Sequence, residues 1–594
     1  MKTIRIGNAG GYWGDDPDAL KYQVTGGDLD FITIDYLAEI TMSIMNKQLR
    51  KNPEAGYAKD FLGHLEPVFE TVMEKGIRII TNAGGVNPLA LARALGKMAA
   101  EKGLKPKIAV VDGDNILDDI DHLSDEGVDF SNMENGAPYS EIRGRVLSAN
   151  LYFGARPVVR ALKAGADIVI TGRVTDTGIT LAAMMASFDW AEDDYDKLAT
   201  GIVAGHILEC GAQSTGGNFT DWRKVPSFDV VGYPIAEISE DGGVVITKHE
   251  GLGGLVSVDT VREQLLYEMG EPKNYITPDV IADFSSIQLE AAGENRVRVF
   301  GIKGAVPTDL LKVSVAYEDG FKSEGTIIIS GPDAREKAEK FAEIFWSRVG
   351  TDFEDHLTEY VGLNACHRHL APLKESNEVL LRFAVRDHDR SKFERFRRKL
   401  PALILSGPPA VAVTGGAPQV RNVVSYWPAL VPQDISTWEV TVFDGDDVLF
   451  HETGGWPKTG GMPVPAAIGE SGGTVPFSTE TKRVPLKAIA LGRSGDKGDM
   501  SNIGVIARSE LAYHFIGTVL TAERVKEIFR GLVKGKVERY PVSNLLAWNF
   551  LLHEALGGGG TLGLRIDAQG KTLAHALIAQ EFDIPVDVLA SVES

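Results

Sequence analysis

The sequence predicts an α/β protein: an N-terminal parallel-sheet βα unit with additional α+β material, followed by a small C-terminal α+β domain. Three observations carry this. One βα grammar recurs four times in the first 180 residues, the pattern shifts to alternating strands near residue 225, and a Gly/Pro-rich stretch precedes the last 113 residues. At 594 residues the chain is too long for one hydrophobic core.

The recurring grammar is an apolar β-branched run, then a Gly/Asn/Asp turn, then a helical stretch. Ile4-Arg5-Ile6 precedes Gly7-Asn8-Ala9-Gly10-Gly11, and Ile77-Arg78-Ile79-Ile80 precedes Thr81-Asn82-Ala83-Gly84-Gly85. Ile108-Ala109-Val110-Val111 precedes Asp112-Gly113-Asp114-Asn115, and Ile168-Val169-Ile170 precedes Thr171-Gly172-Arg173. Repeated strand–helix units imply parallel strands, whose following loops all emerge at one carboxyl edge. Asn8, Gly10, Gly11, Asn82, Gly84, Gly85, Asp112 and Arg173 are therefore expected around one cleft, as substrate-binding residues. The Asn-Ala-Gly-Gly turn occurs twice, and its glycines permit close backbone approach to a ligand. Neither copy is a nucleotide fingerprint, because GxGxxG and the Walker spacing are both missing there.

From about 225 to 330 the strands alternate around a helix expected at Val261 to Met269, and Asp333 is the expected N-cap of a helix at Ala334 to Val349. These segments give an α/β domain over 1–451 with a sub-boundary near 225. A Gly/Pro-rich linker follows at 452–481, then a domain at 482–594 that reads as a split βαβ, with a helix near Val542 to Ala555.

Sixty-one basic against 82 acidic side chains leave a net charge of −21. That excludes nucleic-acid binding as a primary role. No apolar run approaches a membrane span, and the first residues lack a signal-type apolar core, so no membrane partner and a cytoplasmic location are expected. Cys210 and Cys366 are the only cysteines, which fits a reducing compartment.

Several residues have the chemistry for a site. His206 and Glu209, three apart, share a face if Gly205–Gly211 is helical, and Gln213, Thr215 and Asn218 follow as donors. An imidazole beside a carboxylate is a general acid/base unit, though a capped helix end with an exposed pair explains the spacing equally. Asp176 joins Arg173 in Thr171–Thr177, where Arg173 is suited to a carboxylate or phosphate. Asp112, Asp114 and Asp176 at this edge could hold magnesium, poise a base or serve only as caps, so no metal site is assigned and divalent metal need stays open. Cys366-His367-Arg368-His369 resembles a ligand cluster if His367 and His369 share a strand face, but no third ligand has recognisable spacing. Arg382 to Lys399 is a basic run that reads as a solvated helix face or a receiver for an anionic tail. In the last domain, Arg493 to Asp499 reads as a turn rich in N–H donors, with Arg493 and Lys497 able to meet phosphate.

Taken together, the chain resembles the acyclic terpene utilisation (AtuA) family. The matching residues are the two Asn-Ala-Gly-Gly turns, Asp35-Tyr36-Leu37-Ala38-Glu39, Ile170 to Asp176, Glu209-Cys210-Gly211, Thr215 to Asn218, Gln264 to Glu268 and Tyr426-Trp427-Pro428. The Arg493 to Asp499 stretch is similar to the small ferredoxin-like domain that accompanies this family. The resemblance implies a catabolic enzyme acting on an acyl-CoA or branched carboxylic acid of isoprenoid origin, by hydratase or carbon–carbon lyase chemistry. His206, Glu209 and Asp176 would be catalytic, and coenzyme A would enter only as part of the substrate, with no covalent cofactor. The alternatives are a non-catalytic metabolite-binding or docking subunit and an acyl-CoA thioester hydrolase, although Ser214 does not sit in GxSxG. A homo-oligomer is expected, with the C-terminal domain completing the site or the assembly.

Overall fold

The computed structural model describes residues 2–37, 41–372, 375–464 and 475–592. Its contacts divide the chain into two units. The first comprises Met1–Ala316, Tyr426–Ala467 and Tyr540–Ala547; the second comprises Tyr317–Ser425, Ile468–Arg539 and Trp548–Ser594.

The first unit is built on one large sheet. Strands β1 (Thr3–Asn8), β2 (Phe31–Ile34), β3 (Arg78–Thr81), β4 (Lys107–Asp112), β5 (Val146–Leu151), β6 (Ile168–Thr171), β7 (Ile235–Ser239) and β8 (Val244–Thr247) occur in this order along the chain. In space they run β8-β7-β1-β2-β3-β6-β4, while β5 pairs elsewhere, with the strand Leu310–Ser330. All pairings from β1 to β4 through β2, β3 and β6 are parallel. Every residue of β2 and β6 is buried, as a parallel strand covered by helices on both faces requires. The two Asn-Ala-Gly-Gly turns leave β1 and β3 at the same edge.

β2 is a fifth βα unit of the same kind, Phe31-Ile32-Thr33-Ile34 before Asp35, which the four-unit reading passes over. The change near residue 225 is one of strand direction: β7 pairs antiparallel with β1 in the same sheet. The sheet continues at one end through Val297–Phe300 and Gln288–Ala291, and at the other through Trp438–Asp444 and Asp447–Gly454. The last of these strands occupies the start of the expected linker, of which residues 465–474 lie outside the described ones.

Glycines set how tightly helices approach this sheet. Gly205, in the helix Tyr195–Leu208, lies where a Cβ would come 2.7 Å from Thr177 Cα and O, so the helix rests directly on the loop after β6.

The second unit packs the helices Ala334–Val349 and Phe393–Ala402 on an antiparallel sheet containing Asp355–Val361 and Glu378–Asp387. The basic run Arg382 to Lys399 is thus divided between a strand and a helix. Asp333 precedes its helix as expected but has φ of 62° and makes no side-chain cap. The helix expected at Val261 to Met269 is Val258–Leu265, started by a capping box from Ser257 and Thr260.

The C-terminal region contains a four-stranded sheet and helices. Its strands Ala490–Lys497 and Met500–Ala507 form a hairpin, and Val537–Val542 and Ala547–Leu552 replace the expected helix at Val542 to Ala555. Trp548, Phe550 and Leu552 alternate with Asn549 and Leu551 on a strand buried on both faces, and such a run has no helical period. Hairpin, helices, second hairpin is therefore the connectivity, in place of a split βαβ. Arg493 to Lys497 is strand, with the turn confined to Gly498 and Asp499.

Two glycine substitutions separate packing from propensity. Gly205→Ala should lower stability by about 1–3 kcal/mol through the contact with Thr177, although alanine favours helix. Gly63→Ala, exposed in the helix Asp60–Leu65 with nothing within 4 Å of its Cβ position, should raise it by about 0.5–1 kcal/mol. Urea unfolding of each variant checks both signs.

Candidate active site

The carboxyl edge of the parallel strands gathers a cluster of charged and amide side chains. After β2, Asp35 is buried; its N–H donates to Gly10 O (3.0 Å) and its Oδ1 accepts from Asn82 Nδ2 (2.5 Å) and from Leu37 N (2.9 Å). Asn82 Oδ1 in turn accepts from Tyr36 N at 2.8 Å, so this amide fastens the loop after β2 to the loop after β3.

After β6, Arg173 is only 3% exposed. Its N–H donates to Asp114 Oδ2 (2.9 Å), which also accepts from Asn150 Nδ2 (2.8 Å). Its Nη1 donates to Asp176 Oδ1 at 2.5 Å, and its guanidinium lies 4.0 Å from the centre of the Tyr152 ring. Burial opposes the guanidinium charge, but Asp176, Tyr152 and Asp35 outweigh it. The Asp176 side chain is 35% exposed and opens the cluster to solvent.

His206 and Glu209 close the helix Tyr195–Leu208, as their spacing suggests. His206 Nδ1 lies 3.0 Å from Glu209 Oε1, and Gln264 Nε2 donates to His206 O at 2.8 Å. The pair is not a solvated one: His206 is 2% exposed, with Tyr275 and Phe284 each 5.4 Å from its ring, and the Glu209 side chain is 13% exposed. Burial raises the Glu209 carboxyl, the His206 bond works against this, and the Asp176 charge adds to it. Asp35 is held well above the ordinary carboxylate range by burial and by the Asp176 charge, against Arg173 and the Asn82 bond. The Tyr275 hydroxyl is likewise raised by burial and by Glu209 and Asp176.

Around this cluster, Arg173 Nε, His206 Nε2, Glu209 Oε2, Gln213 Oε1, Ser214 Oγ and Gln264 Oε1 are buried without a hydrogen-bond partner among the described residues. A buried polar atom left unmatched costs about 1–3 kcal/mol, so atoms of this kind call for a partner such as an ordered water or a ligand.

The glycines serve backbone packing. A Cβ on Gly11 would lie 2.8 Å from Glu209 O, Cys210 C and Gly211 N, and one on Gly84 would lie 2.5 Å from Thr171 O. Gly85 adopts φ of 53° against Met45. The Gly10 N–H donates to Asn8 Oδ1 (3.0 Å) and the Gly11 N–H to Asp15 Oδ2 (2.8 Å), so neither points at a ligand. Asn8 binds Gly10 through both side-chain atoms and shapes the turn.

Asp112 is exposed and closes on Gly113 N; its neighbour Asp114 is the buried carboxyl of that loop. Asn218 is exposed at φ of 58°. Arg493 and Lys497 belong to the second unit, on a strand. The residues missed by sequence are Asp35, Tyr152 and Tyr275, whereas Asp114 is one of the strand-end carboxylates expected at this edge. The first follows the unread fifth strand; Tyr275 sits on a two-residue strand without a pattern of its own. Cys366 to His369 falls in a turn and a short 3-10 segment rather than a strand, and among the described residues no three His, Cys, Asp or Glu side chains group as metal ligands.

A family model described as the acyclic terpene utilisation family protein AtuA matches residues 4–442. The chain belongs to the AtuA family. A second model, the AtuA ferredoxin-like domain, matches residues 484–583. No curated protein and no solved structure matches the chain. The AtuA match spans every strand of the parallel sheet and every residue of the cluster. Membership ties the protein to acyclic terpene utilisation, and no helix among the described residues is long and apolar enough to cross a membrane.

The Asp114 carboxyl is pushed up to about 7 by burial, against the bonds from Arg173 N and Asn150. Between about pH 4 and 7 the unfolded chain releases this proton while the folded chain keeps it, so this group's contribution falls as pH rises, by up to about 4 kcal/mol, and is constant above pH 7. Asp114→Asn keeps the acceptor and removes the ionisation. Urea unfolding from pH 4.5 to 7.5 should show a flatter profile for the variant, and equal slopes would mean that Asp114 ionises as an ordinary carboxyl.

Proposed function

We propose that this AtuA family protein is an enzyme that moves a proton at a carbon beside the carbonyl of a branched, isoprenoid-derived acid or its coenzyme A thioester. Hydration of an enoyl group and carbon–carbon cleavage both pass through that step, and both need one group to transfer the proton and a second to stabilise the enolate oxygen. The observation that carries the reading is the Glu209–His206 pair, with raised Glu209 and two unmatched atoms, Glu209 Oε2 and His206 Nε2, at the end of one helix.

In this reading Glu209 takes the proton and returns it. His206 Nδ1–H donates to Glu209 Oε1 and fixes its orientation, which leaves His206 Nε2 as the acceptor or, when protonated, the donor toward the substrate. Arg173 supplies positive charge for the developing oxyanion, and Asp176 holds the guanidinium in place. The raised Glu209 carboxyl suits a group that must both accept and release a proton. Ser214, fully buried and in a 3-10 turn, has neither the elbow geometry nor a base shown beside it, which weakens the thioester hydrolase reading.

Solvent deuterium exchange at the carbon beside the thioester of a 3-methyl-branched acyl-CoA reads the proton transfer directly, with turnover followed in parallel. Glu209→Gln should lose rate by about 10² or more while retaining the fold. The rate should rise with pH over a limb lying above the ordinary glutamate value, because the base must first be ionised. Neither exchange nor turnover by the folded parent protein would replace this reading with a non-catalytic binding subunit.

A further inference from the structure

A cavity of about 690 Å³ lies within the second unit, and none of the acid–base residues above lines it. Its wall carries four cations, Arg368, Arg530, Lys534 and Arg565, against two carboxylates, Asp355 and Glu359. Glu359 is already committed: it is fully buried, pairs with Arg368 (3.1 Å) and Arg382 (2.6 Å), and accepts from Ile566 N. Arg530 and Lys534 are exposed and make no ion pair among the described residues. The wall therefore keeps a positive surplus on a chain whose net charge is −21.

The geometry of the wall is also that of a binding site. Arg368 has φ of 53°, an uncommon conformation for a residue with a side chain, and its Nε is buried without a partner. Gly531 and Gly557 have φ of 82° and 73°, and a Cβ at either would meet nothing within 4 Å, which leaves backbone open to the cavity. Arg565 is anchored through its guanidinium to Ala555 O and Leu532 O, and burial together with the neighbouring Arg368 charge lowers its proton affinity. Asp499, Glu359 and Asp567 act against this lowering, and Glu359 already pairs with Arg368, so Arg530 and Lys534 carry the positive surplus of the wall. Leu357, Leu532, Leu556 and Leu564 supply the apolar remainder, and the volume matches the roughly 300–1,000 Å³ of small-molecule sites.

We propose that this cavity binds an organic phosphate of nucleotide size, its phosphates on Arg368, Arg530, Lys534 and Arg565 and its apolar body along the leucines. The assignment stands apart from the acid–base reading of the first unit. Two sources share this chemistry: the nucleotide end of a coenzyme A thioester, and a free nucleotide.

Isothermal titration calorimetry of the full chain with coenzyme A, ADP and inorganic pyrophosphate tests it. At least one organic phosphate should bind, more weakly as salt is raised. The double variant Arg530→Ala/Lys534→Ala should weaken that binding about tenfold or more, while Arg398→Ala, a surface cation outside the cavity, leaves it unchanged. Both substituted cavity residues are exposed, so the variant should fold, as circular dichroism checks. Preference for coenzyme A assigns the site to a thioester's tail and preference for ADP to a free nucleotide, and either supports the proposal. No binding of any probe, equal binding by the double variant, or pyrophosphate binding as tightly as the organic probes would overturn it.

Discussion

A buried guanidinium organises the first unit. Arg173 is removed from water, which is costly for a charge unless it is paired, and its partners come from different parts of the chain: Asp176 on its own loop, Tyr152 under its plane, and the nearby Asp35 after another strand. Its backbone N–H is held by Asp114, itself bonded to Asn150. Removing one member of such a set typically costs 3–5 kcal/mol, because the remaining charge stays buried and unmatched. The loops after β2, β4 and β6 are thus tied to one charge.

The same constraint shapes the chemistry. Asp176, held beside the buried cation, lies close enough to oppose the ionisation of both Asp35 and Glu209. Glycine at positions 11, 84 and 205 lets backbone meet backbone where a methyl would intrude, and so lets the helix ending in His206 and Glu209 reach the strand edge. The pair follows from this packing: a close helix contact shields it, and Glu209 is raised by that desolvation and by the Asp176 charge of the neighbouring loop.

The second unit repeats the device with opposite emphasis. There a buried carboxylate, Glu359, collects two arginines and the Ile566 N–H, joining the strand Asp355–Val361 to the C-terminal part of the chain. Further bonds within that unit, from Arg382 to Leu564 O and from Lys322 to Thr561 O, hold the ferredoxin-like region against the same sheet. The expected tethered domain is consequently docked on its own chain.

The sequence alone determined the parallel sheet, its shared carboxyl edge and the His206–Glu209 pair. Those depend on local pattern: an apolar run, a turn, and a helical offset of three residues. It also pointed to Arg173 and Asp176, because both follow one strand within five residues. What only the tertiary structure decided was which neighbouring residue faces inward and what it meets. Asp112 and Asp114 are equivalent on paper, yet one is solvated and the other buried, because the loop turns between them at Gly113. Asp35 and Tyr275 join the cluster from distant segments, and Arg493 to Lys497 becomes strand because Gly504 to Met500 pair with it. Burial and long-range pairing are properties of the packed chain, and no short window of sequence contains them.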